Sequence, residues 1–130
     1  MSDADLPTSE DVLAVHEEIE EEFNMKYTGT RGAAPELKLK RIIEHADERV
    51  DRYARAASLL RNIITAHVFE DGNKRTAWAV TNAYLERKGT TPAATGMSAE
   101  RVLKRIRRFE VDEIADWLET GEIDEERLHP

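Results

Sequence analysis

His67-Val68-Phe69-Glu70-Asp71-Gly72-Asn73-Lys74-Arg75-Thr76 gathers a base, carboxylates, an amide and two adjacent cations around one glycine. Upstream, Tyr53, Ala56, Ala57, Leu60, Ile63 and Ile64 recur at helical spacing, and downstream Ala77, Val80, Tyr84 and Leu85 do the same. The stretch therefore reads as a short loop between two amphipathic helices, with Gly72, Asn73 and Lys74 in the opening turn of the second. A helix start has backbone N–H groups without partners and partial positive charge, so it suits an anion.

The residue types suggest roles around such an anion. His67 has a side chain that titrates near neutrality and can act as a general base toward a hydroxyl. Asp71 offers hard oxygens of the kind Mg²⁺ takes alongside substrate phosphates. Gly72 allows close backbone approach and positive φ. Asn73 can donate an amide hydrogen bond, Arg75 carries a planar fork suited to phosphate oxygens, and Lys74 adds a second cation. Phe69 reads as an apolar pin that packs the loop onto the bundle and aims His67.

His67 to Ala77 resembles the signature of the Fic/Doc family, H-x-F-x-[DE]-[GA]-N-[GK]-R. The likeness extends from about Ser9 to Gly121 and takes in Glu10–His16 and the acidic helix Val111–Leu118. Two positions favour one branch. Fic enzymes carry a second glycine where this chain has Lys74 and a second arginine where it has Trp78, and these seat the nucleotide for AMP transfer. With lysine and tryptophan there, the chain is similar to the Doc branch, although Doc-like motifs often have alanine at Gly72. That resemblance implies a toxin of a toxin–antitoxin pair. It would transfer the γ-phosphate of ATP, with Mg²⁺, to a Ser or Thr hydroxyl of a translation elongation factor, with His67 as the base. AMP transfer to a protein hydroxyl is the first alternative, and a catalytically silent antitoxin-binding module is the second. Self-inhibited relatives carry [ST]-x-x-x-E-[GN], which has no match here; inhibition is therefore expected from an antitoxin protein in trans.

Composition is compatible with this. A chain of 130 residues, 40% of them hydrophobic, is long enough for one compact domain with a core. There is no cysteine, so disulfides and thiolate chemistry are excluded. The acidic start and the absence of a long apolar run favour a cytoplasmic protein with no membrane contact. A net charge of −8 argues against direct nucleic-acid binding. Charge is uneven, with Glu17, Glu18, Glu20, Glu21 and Glu22 early and Arg101, Lys104, Arg105, Arg107 and Arg108 late. Both runs read as solvated faces, or the basic one as a seat for an acidic partner segment such as an antitoxin tail.

The fold expected is a single all-α bundle of about six helices over residues 1–130, with residues 1–8 and 122–130 as flexible tails. Thr8 or Ser9 caps a first helix carrying Val12, Val15, Ile19 and Phe23 on one face. Pro35 opens a second with Leu39, Ile42, Ile43 and Ala46. The third and fourth flank the motif, the fourth ending near Gly89. Ser98 starts a fifth containing Val102, Leu103, Ile106 and Phe109. Val111–Glu119 is a sixth, or a bent extension of the fifth. The Thr28–Pro35 loop is a candidate for a short flap hairpin holding the target peptide, as in Fic relatives.

Several of these residues have plainer readings. Asp71 can cap the following helix; Lys74 and Arg75 can be exposed ion-pair residues. Glu70 is expected to face solvent. Trp78 and Trp117 suit a core or an interface. His16, His45 and His129 read as structural or surface residues, whereas His67 stands apart because of its neighbours.

Overall fold

A computed structural model describes residues 3–130 of the chain. Six α-helices run in order: α1 (Ser9–Phe23), α2 (Pro35–Asp47), α3 (Arg52–Ala66), α4 (Asn73–Arg87), α5 (Gly96–Lys104) and α6 (Val111–Thr120). Short 3₁₀ turns occupy Ile106–Arg108 and Glu125–Leu128. No strand forms among the described residues, so the all-α expectation holds.

The centre is α3. Its run Ala56, Ala57, Ser58, Leu59 and Leu60 is buried without a break, followed by Ile63 and Ile64. A helix buried on every side must have neighbours on every side, and α2, α4 and α6 all pack on it. On the other face of α4, α1 closes the bundle against both α4 and α2. Trp117, Tyr84, Phe69 and Phe109 are the largest buried side chains, which places the motif phenylalanine in the main core.

Local chemistry explains the boundaries. Thr8 caps α1 reciprocally, its hydroxyl accepting from Asp11 N–H at 3.1 Å while its own N–H reaches the Asp11 carboxylate at 2.9 Å. Asp51 caps α3 through the N–H groups of Tyr53 and Ala54. Pro35 stands in the first turn of α2. α5 ends at Lys104, short of the Phe109 limit expected from spacing. Ile106 and Phe109 are both buried, but a 3₁₀ turn also places residues i and i+3 on one side, so spacing alone could not separate the two. α6 is therefore a separate helix, with its own capping box between Glu110 and Glu113.

The ends of the chain carry specific contacts, where loose tails were expected. The Asp3 carboxylate, 3% exposed, meets Arg55 at 2.9 Å and Lys88 at 2.8 Å. The Tyr84 hydroxyl donates to it at 2.7 Å. Leu6 and Leu128 are buried, and the Arg127 guanidinium lies 4.8 Å from the Phe109 ring centre. Met1 and Ser2, the start of the expected N-terminal tail, lie outside the described residues.

Candidate active site

His67 ends α3 in a left-handed conformation (φ 48°, ψ 52°). This conformation is uncommon for a residue with a side chain, and histidine is among those that adopt it. It turns the chain sharply, so Val68 and Phe69 drop into the core while His67 stays exposed at the rim. The imidazole has no hydrogen bond among the described residues, which leaves it open to a hydroxyl. Partial burial lowers its pKa, and the positive charges of Arg107, Arg31 and Lys74 lower it further. The ring is thus neutral at pH 7, the state a general base requires.

Phe69 is fully buried in the core, and a residue of α1 packs on it. The His16 ring stacks on it with centroids 3.7 Å apart and planes 12° apart. His16 Nδ1 is 2.9 Å from the Thr76 hydroxyl, so one buried ring from α1 touches both the loop and the first turn of α4. Its Nε2 lies 3.4 Å from Glu20, outside hydrogen-bond geometry. Burial lowers the His16 pKa although Glu20 opposes it, so the ring is a neutral spacer. Sequence reasoning placed His16 among structural or surface histidines; the structural half of that reading holds. Its contact with the motif was invisible because fifty residues separate His16 from the loop while helical spacing reports only which face is apolar.

Asn73 points back at the loop. Its side-chain oxygen accepts from Phe69 N–H at 3.1 Å and its nitrogen donates to Phe69 O at 3.0 Å. One amide hydrogen remains for a ligand. The Thr28–Pro35 loop, the candidate for a flap hairpin, does not form one. Gly29 and Gly32 both have positive φ, leaving only Thr30 and Arg31 between them to extend. The segment pairs with the motif loop: Arg31 N–H donates to Val68 O at 2.7 Å, Glu70 N–H donates to Gly29 O at 3.1 Å, and Thr30 bridges Phe69. Glu20 anchors this pairing by accepting Gly29 N–H at 2.6 Å. Glu70 is exposed as expected and lies 3.4 Å from Arg31.

Gly72 occupies the N-cap of α4 with φ +76°, and no side chain caps the helix. Asp71 accepts Gly72 N–H at 2.7 Å and so sits one residue before the cap. The first ladder bond runs from Thr76 N–H to Gly72 O, leaving the N–H groups of Asn73, Lys74 and Arg75 ahead of the ladder at the helix's positive end. Lys74 and Arg75 are exposed there. The Arg75 guanidinium stacks on Phe23, 3.9 Å from the ring centre, with no carboxylate bound to it among the described residues. Asp71 is likewise exposed, and among the described residues no cluster of three metal-ligating side chains forms. One accessible carboxylate beside an anion-binding helix start fits Mg²⁺, which is held chiefly by phosphates and water.

These groups line one cleft of about 1100 Å³. His67, Asp71 and the start of α4 line it together with α5, Trp78 and the 3₁₀ turn after α5, which packs on α3. Trp78 is half-buried against Trp117, ring centres 5.8 Å apart.

The sequence profile of the Fic/DOC family matches residues 6–85, which take in α1 to α3, the whole motif loop and α4 as far as Leu85. The chain belongs to the Fic/DOC family. The match ends before α6, so the outer likeness at Val111–Leu118 lies beyond it. No curated protein matches the chain at a significant level. Fic/DOC proteins transfer nucleotide or phosphate groups from ATP onto proteins, generally with Mg²⁺. Among the described residues, no helix is long and apolar enough to cross a membrane.

Proposed function

We propose that this Fic/DOC protein is a Doc-like toxin that moves the γ-phosphate of ATP to a Ser or Thr hydroxyl of a translation elongation factor. The observation that carries the reading is Lys74: it stands exposed on the first turn of α4 with no ion pair among the described residues, at the position where a glycine would favour the AMP-transfer pose. Trp78 supports it by placing an indole in the cleft where an arginine would grip the nucleotide from the same helix.

His67 takes the proton of the target hydroxyl, the oxygen forms a bond to the γ-phosphorus, and the bond from that phosphorus to the bridging oxygen breaks to release ADP. The N–H groups at the start of α4, with Lys74, Arg75 and the free amide hydrogen of Asn73, hold the phosphates. Gly72 supplies the left-handed turn that opens α4, with Met25 and His16 packed where a Cβ would stand. Asp71 would hold Mg²⁺, which would supply neutralisation of the developing phosphate charge. Positioning and charge provide most of the catalysis in this class of reaction, which is why Phe69, His16 and Asn73 matter although none would touch ATP. Restraint in the cell comes from an antitoxin in trans, and the protein acts in the cytoplasm without nucleic acid or membrane.

AMP transfer is the second reading, and Gly72 favours it, since Doc-like motifs often have alanine there. A phosphate-sized mass gain on the target, lost in His67→Ala, is expected; an AMP-sized gain would overturn the phosphotransfer reading. If the His67→Ala protein proved as toxic as the unaltered chain, the silent antitoxin-binding module would replace both.

A further inference from the structure

We infer that the α5 side of the cleft is a docking site for an acidic segment of the protein substrate, flanking the hydroxyl that is modified. Four cations line that wall, Lys104, Arg105, Arg107 and Arg108, against a single carboxylate, Glu100. Only Lys104 is near it, at 3.5 Å, in an exposed pair of little strength. Arg108 bonds the neutral carbonyls of Arg127 and His129, and Arg107 reaches the Thr65 carbonyl at 3.5 Å. The Arg105 side chain has no hydrogen bond or ion pair among the described residues. Three arginines thus line the cleft with no carboxylate paired to them among the described residues, in a chain whose net charge is −8.

A plainer account is that cations gather at a helix C-terminus to meet its dipole. That covers Lys104 and Arg105, which end α5. It leaves out Arg107 and Arg108, which lie past the helix on a 3₁₀ turn. Buried Ile106 and Phe109 hold that turn to the core, and the Arg61 guanidinium fixes Phe109 O at 2.8 Å, so the arginines project from a fixed backbone. The phosphates of a nucleotide have their own cations, Lys74 and Arg75, at the start of α4. The position decides the occupant: Arg107 reaches the carbonyl of Thr65, two residues before His67, and its turn packs on α3, so whatever docks on these arginines lies beside the base. A carboxylate-rich peptide there would bring its neighbouring hydroxyl to His67.

The word substrate rests on the transferase reading; the binding itself does not, and is tested without turnover. A fluorescent peptide with one serine between runs of Asp and Glu is titrated with the purified full chain at low salt, reading anisotropy. Saturable binding that weakens with salt is expected. Arg105→Ala combined with Arg107→Ala should weaken it about tenfold, as the loss of two exposed charge-assisted contacts implies. His67→Ala should leave it unchanged, and Mg²⁺-ATP should not displace the peptide. Unchanged binding by the double variant, equal binding of a basic peptide, or displacement by Mg²⁺-ATP would each overturn the assignment, the last by making the wall a phosphate site. With ATP present, phosphorylation of the acidic peptide in preference to a basic one supports the substrate role. An acidic peptide that binds and blocks transfer to another target without being modified overturns that role in favour of an inhibitory partner.

Discussion

Replacing Gly72 with alanine adds one methyl group where the motif, α1 and the left-handed turn meet, and the cost divides into two parts. The backbone stands at φ +76°, and an ideal Cβ there would lie 2.6 Å from Met25 Cε, 3.1 Å from Met25 Sδ and 3.5 Å from His16 Cε1. The left-handed backbone costs alanine about 1 kcal/mol relative to glycine. Met25 is half-buried at the end of a flexible side chain, so it can swing aside at a further cost of up to about 1 kcal/mol in rotamer strain. The His16 contact is ordinary van der Waals distance and adds nothing. Gly72→Ala should therefore lose about 2 kcal/mol in urea unfolding with an unchanged slope, and the loss should fall to about 1 kcal/mol when Met25→Ala is already present. Unaltered stability would refute the left-handed turn, and an undiminished loss in the Met25→Ala background would refute the contact.

His16→Ala should cost about 2–4 kcal/mol, because it opens a cavity under Phe69 and orphans the buried Thr76 hydroxyl. Under conditions where that variant is still folded, transfer should drop with little change in the KM for ATP, and His16→Gln should recover part of both losses; normal turnover by folded His16→Ala would deny the ring a positioning role. Because the pKa of His67 is lowered, its base form persists to more acid pH, so the acid limb of the rate profile should fall below the ordinary histidine value of 6.5 and move upward in Arg107→Ala. Rates that vanish with a midpoint above that value would contradict the charge arrangement. Burial by itself would raise the pKa of Asp3, but its bonds with Lys88 and Tyr84 outweigh burial and hold the carboxyl far below the usual range. Its contribution is thus complete above the unfolded value near pH 4 and is lost as pH falls below it, and Asp3→Asn should flatten that part of the stability profile measured by urea unfolding. An unchanged profile would mean that the Asp3 contacts do not form in solution.

Periodicity was enough to locate α1, α2, α3 and α4, because each buries one regular face or, in α3, nearly all of them, and because Thr8 and Pro35 mark starts by local chemistry. It failed at Ile106 and Phe109, where two kinds of helix share a spacing. The motif loop was legible as a set of residue types, and its glycine turn and exposed histidine follow from rules that act within a few residues. What holds the loop was not legible. His16 and Glu20 come from α1 and Met25 from just past its end, about fifty residues before the motif, and nothing in their spacing marks them as motif contacts. Asn73 was read as a ligand donor from its type alone, yet most of its hydrogen-bonding capacity serves Phe69. The Thr28 loop was legible from its glycines and proline, a flap hairpin there was a candidate only by likeness to Fic relatives, and those same glycines direct the loop onto the motif. The basic run at Arg101–Arg108 gave no sign in the sequence that part of it would lie beside His67, since that depends on how the 3₁₀ turn after α5 packs on α3.

The central claim is that His67 and the start of α4 together move the γ-phosphate of ATP to a protein hydroxyl. The most direct test is intact-mass analysis of translation elongation factors after incubation with the purified chain, ATP and Mg²⁺, beside the His67→Ala variant. The account predicts a gain of one phosphate that is absent with the variant. A gain of one AMP, or a phosphate gain that survives His67→Ala, would contradict it.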